Sequence, residues 1–358
     1  MKSRKTLLLE FSLPAGRGKP LRDGLSAVVR VGGELWLAND ESLNLERLTL
    51  EGDQAGKPVS FPLAEYLALP VPPEGDEIEE VDIEGMDWAD GHLWLTGSHS
   101  LKRKRPKAGD KPDKARKDLA KLSRDGNRYL LARLPLVAEG GARHPARHAG
   151  AGFAGRLDGD AEGNALTRAL ADDPHLAPFL ALPGKDNGFD VEGLAVGGER
   201  LFLGLRGPVL RGWAVILELA PEAIAPDRLA LRPLDGHRPY LKHFLKLDGL
   251  GVRDLCRHGD DLLILAGPSM DLDGPVRVFR WPGGARPHAD GELVPADVPQ
   301  AVLDLPFGRG DDHAEGMTLF SAEGSEKPAL LVVYDAAAEA RKQGGGSVLA
   351  DVFPLPSP

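Results

Sequence analysis

Four carboxylates recur at one position of a repeated pattern: Glu84, Glu192, Asp254 and Glu315. Each opens an apolar stretch that runs through a turn into an alternating apolar strand, in DIEGMDWADGHLWLTGS, DVEGLAVGGERLFLGLR, VRDLCRHGDDLLILAGP and HAEGMTLFSAEGSEKPALLVVYD. A fifth copy, GLSAVVRVGGELWLAND, carries Ser26 there. Carboxylates gathered in one partly desolvated place repel one another when ionised together, so such a set needs compensation. A hard divalent cation, Ca²⁺ or Mg²⁺, takes oxygen ligands, which makes Glu84, Glu192, Asp254 and Glu315 candidate metal ligands. Basic partners are the other solution. Lys185, Arg206, Arg253, His99 and Lys102 lie beside the anchors or just after the strands that follow, placed to bind a small anionic substrate. Glu192 as general base and His313, two residues before the last anchor, are the catalytic candidates. A structural role competes: Glu followed by Gly can cap a turn, the carboxylate accepting backbone N–H bonds and the glycine supplying a tight φ.

The elements that must position these residues follow from the repeat. A strand core falls nine residues after the anchor at Leu35, Leu93, Leu201 and Leu263, and a third strand follows in every copy, at 45–50, 129–134, 215–219, 276–281 and 347–353. Trp36, Trp94 and Phe202 occupy equivalent second-strand positions and read as packing between repeats. Three or four short strands per repeat, bounded by Gly, Pro and Asp, predict an all-β protein, a β-propeller of five or six blades. The sixth would lie in the long gap between Glu84 and Glu192. The strand at 6–13 is expected to close the last blade, beside the strand at 347–353. First strands line a propeller's central channel, which sets equivalent anchors at one height. The whole chain, 1–358, reads as one domain with insertions at about 100–124, a basic loop, and about 150–185, a short helix ending near Pro183.

Composition agrees. Of 358 residues 44 are Gly and 30 Pro, suited to a turn-rich β protein. The single cysteine, Cys256, cannot form an internal disulfide. No apolar window approaches a membrane span, and the start MKSRKTLLLEFSL, interrupted by Glu10, reads as mature sequence, so the cytoplasm and no membrane association are expected. The net charge of −10 is uneven: residues 102–124 hold 11 Lys/Arg and 3 Asp, a local +8, leaving −18 elsewhere. That segment lacks interleaved aromatics and the body is acidic, which speaks against nucleic acid. It reads as a solvated loop or a lid over the channel mouth. DGDAEGN at 158–164 and DLDG at 271–274 read as turns, and no nucleophile elbow, Walker loop or dinucleotide fingerprint is present.

The repeated EG(M/L) element with its preceding Asp or His, in DIEGM, DVEGL and HAEGM, together with PGKDNGFDVEGLAV, resembles a bacterial family of unknown function similar to esterase-like phytase propellers. The resemblance spans roughly 20–353 and implies a propeller with acidic channel residues and phosphoester or ester hydrolase activity. Ser26 in the first copy and RDL in the fourth depart from the pattern. Two function classes result: a metal-assisted hydrolase of a phosphoester or related ester at the channel mouth, or a non-catalytic propeller that binds a partner protein or small ligand.

Overall fold

The computed structural model describes residues 5–12, 19–73, 79–234, 236–321 and 328–356. Five strands among them, Leu25–Val31, Ile83–Ala89, Asp190–Gly197, Gly251–His258 and His313–Phe320, each begin an antiparallel sheet. They pack on one another in chain order, and the last packs on the first, so the ring is closed. The protein is a β-propeller. The second strands, such as Arg200–Gly207, and third strands, such as Trp213–Leu219, follow outward in each blade; the third strands overlap the expected spans, but in the second blade the strand is Leu131–Glu139 and Gly126–Tyr129 before it is a 3-10 turn.

The last blade takes its outer strand from the N-terminal region. Lys5–Glu10 pairs antiparallel with Ser347–Pro354, Leu8 opposite Leu349, and also runs parallel to the first blade's outer strand through Leu8–Gln54 and Leu9–Ala55. The expected closure is therefore present, over a shorter span than 6–13.

The second strands read as near-continuous apolar runs because both faces are buried. Leu35 and Leu37 pack toward the last blade with Leu331 and Val333, whereas Trp36 and Ala38 pack toward the second with Leu93 and Leu95. Trp94 lies between the second and third blades and Phe202 between the third and fourth. Period-two alternation thus places one residue set on each neighbouring blade.

The glycine of each EG pair has a steric role. None of Gly85, Gly193 and Gly316 has positive φ, so the expected tight turn is not their purpose. A Cβ on Gly85 would stand 2.8 Å from the Glu192 carbonyl oxygen and 2.9 Å from the Leu194 nitrogen. On Gly193 it would stand 2.8 Å from Leu255, and on Gly316 3.1 Å from the Val28 nitrogen. Each therefore lets its inner strand approach the next blade. Gly85→Ala is expected to cost about 1–3 kcal/mol in urea unfolding. Gly33→Ala, where a Cβ meets nothing within 4 Å, is the control; equal effects would refute this account.

Both expected insertions leave the second blade. Residues 100–124 form a flap with a two-residue ladder, Lys102–Arg103 on Leu122–Ser123, and a helix, Pro112–Ala120. In the second insertion the helix is only Ala165–Ala169, capped at Asn164 by a reciprocal hydrogen-bond pair with Thr167. Pro183 instead pairs with Leu101, tying the two insertions together. No helix among the described residues is long and apolar enough to cross a membrane.

Candidate functional site at the channel mouth

Every inner strand carries a β-bulge near its start, and the bulged residue is the repeat anchor. The pairing skips Ser26, Glu84, Glu192 and Glu315, and in the fourth blade it skips Arg253. An extra residue in one strand re-aims its side chain and leaves it out of the ladder. The fourth anchor is thus Arg253, and the strand core nine residues on is Leu262.

Asp254 occupies the place of the EG glycine. Its carboxylate accepts from the Leu255 N–H at 2.8 Å and, across the blade boundary, from the Met317 N–H at 2.7 Å. It staples two inner strands and is not turned to the channel. Asp254→Ala strands both donors and is expected to lower stability by about 2–4 kcal/mol in urea titration; a loss under about 1 kcal/mol would refute the staple.

The ring is an ordered alternation of charge. Arg206, at the end of a second strand, pairs with Asp190 and, at 2.8 Å, with Glu192; Arg253 pairs with Glu192 at 3.0 Å and with Glu315. Burial alone would lower both guanidinium pKa values, but the carboxylates raise them above the ordinary value, so both stay charged. In the second blade Arg128 pairs with Asp82 at 2.7 Å. Ser26 donates to the Ile83 carbonyl and adds no charge.

Glu84 is left out. Among the described residues it has no ion pair or hydrogen bond. Burial first, then Asp82, Glu192, Glu315 and Asp40, push its carboxyl well above the usual range. Asp40 is pushed up to about 7 by burial and by Asp335 and Asp82, and one of its carboxylate oxygens is buried without a hydrogen-bond partner.

Above the ring lies a cavity of ≈ 420 Å³ that Asp40, Glu84, Asp190, Lys185, Arg206 and Asp335 help to line. The flap forms its other wall with Lys102, Arg103, Arg105 and Leu119. Arg103 Nε donates to Asp186 at 2.6 Å, and Arg105 reaches to 3.8 Å from Asp271 in the fourth blade. The basic insertion therefore spans the mouth from the second blade to the fourth. Lys102 is engaged by Glu80 and, at 2.8 Å, by Asp125. Lys185 has no ion pair within 4 Å among the described residues.

A model of the family of proteins of unknown function DUF3616 matches residues 24–351. The chain belongs to that family. No curated protein matches it. Among solved structures it is similar to the glutaminyl cyclase of Myxococcus xanthus, at 10% identity over 99% of this chain and 98% of that one, with a TM-score of 0.40. A streptogramin B lyase gives 10% identity, 98% of each chain and a TM-score of 0.37. The PQQ-bound aldose sugar dehydrogenase from Streptomyces coelicolor gives 12% identity, 98% of each chain and 0.35.

In this DUF3616 chain the candidate residues do not all meet. Lys102, Lys185, Arg206, Glu84 and Glu315 line the cavity. Arg253 and His313 line an adjoining pocket that shares Lys185, Arg206 and Glu315. Glu192 is buried and clamped between two guanidiniums, which fits it to hold Arg206 and Arg253 in place rather than to act as a base. His99 faces away: its ring nitrogens contact the Gly97 carbonyl and the Asn164 amide at 2.8 Å each, and burial holds its pKa at about 4. It is a neutral structural histidine and cannot bind an anion at the mouth.

The four proposed metal ligands do not fit one cation. Asp254 serves backbone donors, and Arg253 stands between Glu192 and Glu315. Among the described residues only Glu218, His243 and His288 bring three ligand-type atoms within 4.8 Å of one another. That cluster lies between the third and fourth blades. Burial would raise the Glu218 pKa, but hydrogen bonds from both histidines hold it at about 2, and Arg200 at 3.5 Å balances its charge. Asp40, Asp335 and Arg103 were not singled out by sequence. For Asp40 and Asp335 the signal was available: Asp335 ends a second strand and Asp40 directly follows one, close to the strand-end position that yields Arg206.

Proposed function

We propose that the channel mouth is a hydrolytic site for a small ester or phosphoester and works by general acid–base chemistry at Glu84. The observation that carries this reading is the Glu84 carboxyl, unpartnered among the described residues and held well above the usual range, in a cavity where basic side chains of the flap and Lys185 stand among a larger set of acids. Three acids of the ring, the buried Asp190 and Glu192 and the partly buried Glu315, share two guanidiniums, so a further ionised carboxylate there is disfavoured. A neutral carboxyl can protonate a leaving oxygen as the bond to carbon or phosphorus breaks and water adds, and it takes a proton back afterwards. Lys185, with spare hydrogen-bonding capacity, and Arg105, whose side chain is 85% exposed, are placed to hold the anionic group. Arg206 and Arg253 are each held between two carboxylates, so their role is to fix the ring. The flap would exclude water once a ligand is bound.

The test is a phosphomonoesterase and esterase panel on the wild type and Glu84→Gln, with folding checked by circular dichroism. Turnover that disappears in a folded Glu84→Gln variant is the expected result. Turnover unchanged by the substitution overturns the assignment of Glu84. Ligand binding with no turnover anywhere in the panel would instead favour the non-catalytic binding propeller.

A further inference from the structure

The exposed large apolar side chains of this protein are not scattered evenly. Met270, Leu272 and Phe307 are 44%, 62% and 48% exposed, and all three line the pocket that adjoins the ring cavity. Leu119 of the flap, 48% exposed, lines the cavity itself. Scattered apolar residues on a surface need no explanation, but several on the rim of one concave polar site mark a place where an apolar group is covered. The two hollows adjoin, because Lys185, Arg206, Asp271, Glu315 and Asp335 line both. Lys185 is thus at the border between the acidic floor and the apolar rim.

We infer that the ligand is an amphiphilic anion, an alkyl or aryl phosphate monoester, whose phosphate meets Lys185 and whose apolar group lies against Met270, Leu272 and Phe307. The inference rests on the proposed hydrolytic site and adds the character of the substrate's non-reacting part. Two further observations support it. Asp271, between Met270 and Leu272, is the residue that Arg105 of the flap approaches, so the flap's far contact falls on this same loop. His313 and Asp273 stand 3.6 Å apart on the same wall, so polar groups flank the apolar patch and limit its width. A ligand lying there takes its affinity from two separable sources, a charge contact at Lys185 and apolar area removed from water at the rim.

Calorimetric titration with methyl, butyl and hexyl phosphate separates the two. In the wild type each methylene that enters the rim is expected to tighten binding about fourfold. The doubly substituted Met270→Ser, Leu272→Ser protein, altered only at exposed positions, should show a hexyl-to-methyl affinity ratio at least tenfold smaller. Lys185→Ala should weaken every member of the series by a similar factor. Affinity that is independent of chain length, or a ratio that survives the double substitution, overturns the amphiphile while leaving the hydrolytic site standing. Failure of every member to bind overturns the amphiphilic phosphate and the phosphoester form of the hydrolytic site, and the esterase arm of the panel then decides the ester form.

Discussion

Replacing Arg206 with methionine is expected to destabilise the protein by about 3–5 kcal/mol, the range seen when one partner of a buried ion pair is removed. Arg206 is buried, and it faces Asp190 and Glu192, which are more buried still. Methionine fills much of the volume but leaves Asp190 without an ion-pair partner, and Glu192 then depends on Arg253 alone. The loss should be smaller at pH 5 than at pH 8, because carboxylates deprived of their cation take up protons as the pH falls. Adding Asp190→Asn should return a substantial part of the stability, since the stranded charge disappears with it. Urea unfolding of the three proteins at both pH values is the measurement. A loss below about 1 kcal/mol for Arg206→Met would show that the ladder contributes little to closing the ring.

Glu84→Gln is expected to act in opposite directions on turnover and stability. A carboxyl that transfers protons contributes about 10²–10⁴ to rate, so turnover should fall by that factor. Stability behaves differently because the Glu84 pKa is raised by burial and by neighbouring acids. The unfolded chain gives up this proton near its ordinary value, about 4.3, while the folded chain retains it. Between those two pKa values the native state binds more protons than the unfolded state, so stability is highest below the unfolded value and declines as the pH rises. Asp40, at about 7, has the same sign. Glutamine cannot ionise, so the variant's unfolding free energy should fall less steeply than the wild type's above about pH 5. Parallel pH profiles for the two proteins would contradict a retained proton on Glu84.

What the sequence revealed depended on whether a property was carried by period or by contact. The blade pattern was legible because alternation and turn residues are local, and Ser26, Glu84, Glu192 and Glu315 were aligned correctly by them. The fourth blade was not. In LLIL the strand core can be counted at Leu262 or Leu263, and the acid Asp254 drew the alignment away from Arg253. Only the bulge settles which residue leaves the ladder, and a bulge is defined by the partner strand. His99 failed for a different reason. Its backbone has φ of 57°, and its ring contacts Asn164, sixty-five residues further along the chain. No local spacing predicts that. The flap was visible as a block of charge, but its anchorage on Asp186 and Asp271 depends on how two distant loops meet.

The seam between Lys5–Glu10 and Ser347–Pro354 makes the order of synthesis matter. The antiparallel partner is made roughly 340 residues after the first of these strands, so at about 5–20 residues per second the wait is on the order of 20–70 s. Throughout that interval the early strand has an unpaired edge, and edges of this kind recruit other chains. It is not wholly without shelter, because Gln54–Pro62 emerges soon after and offers it a parallel neighbour at Leu8 and Leu9. The first blade thus acts as a cradle for the strand that will later lock the ring.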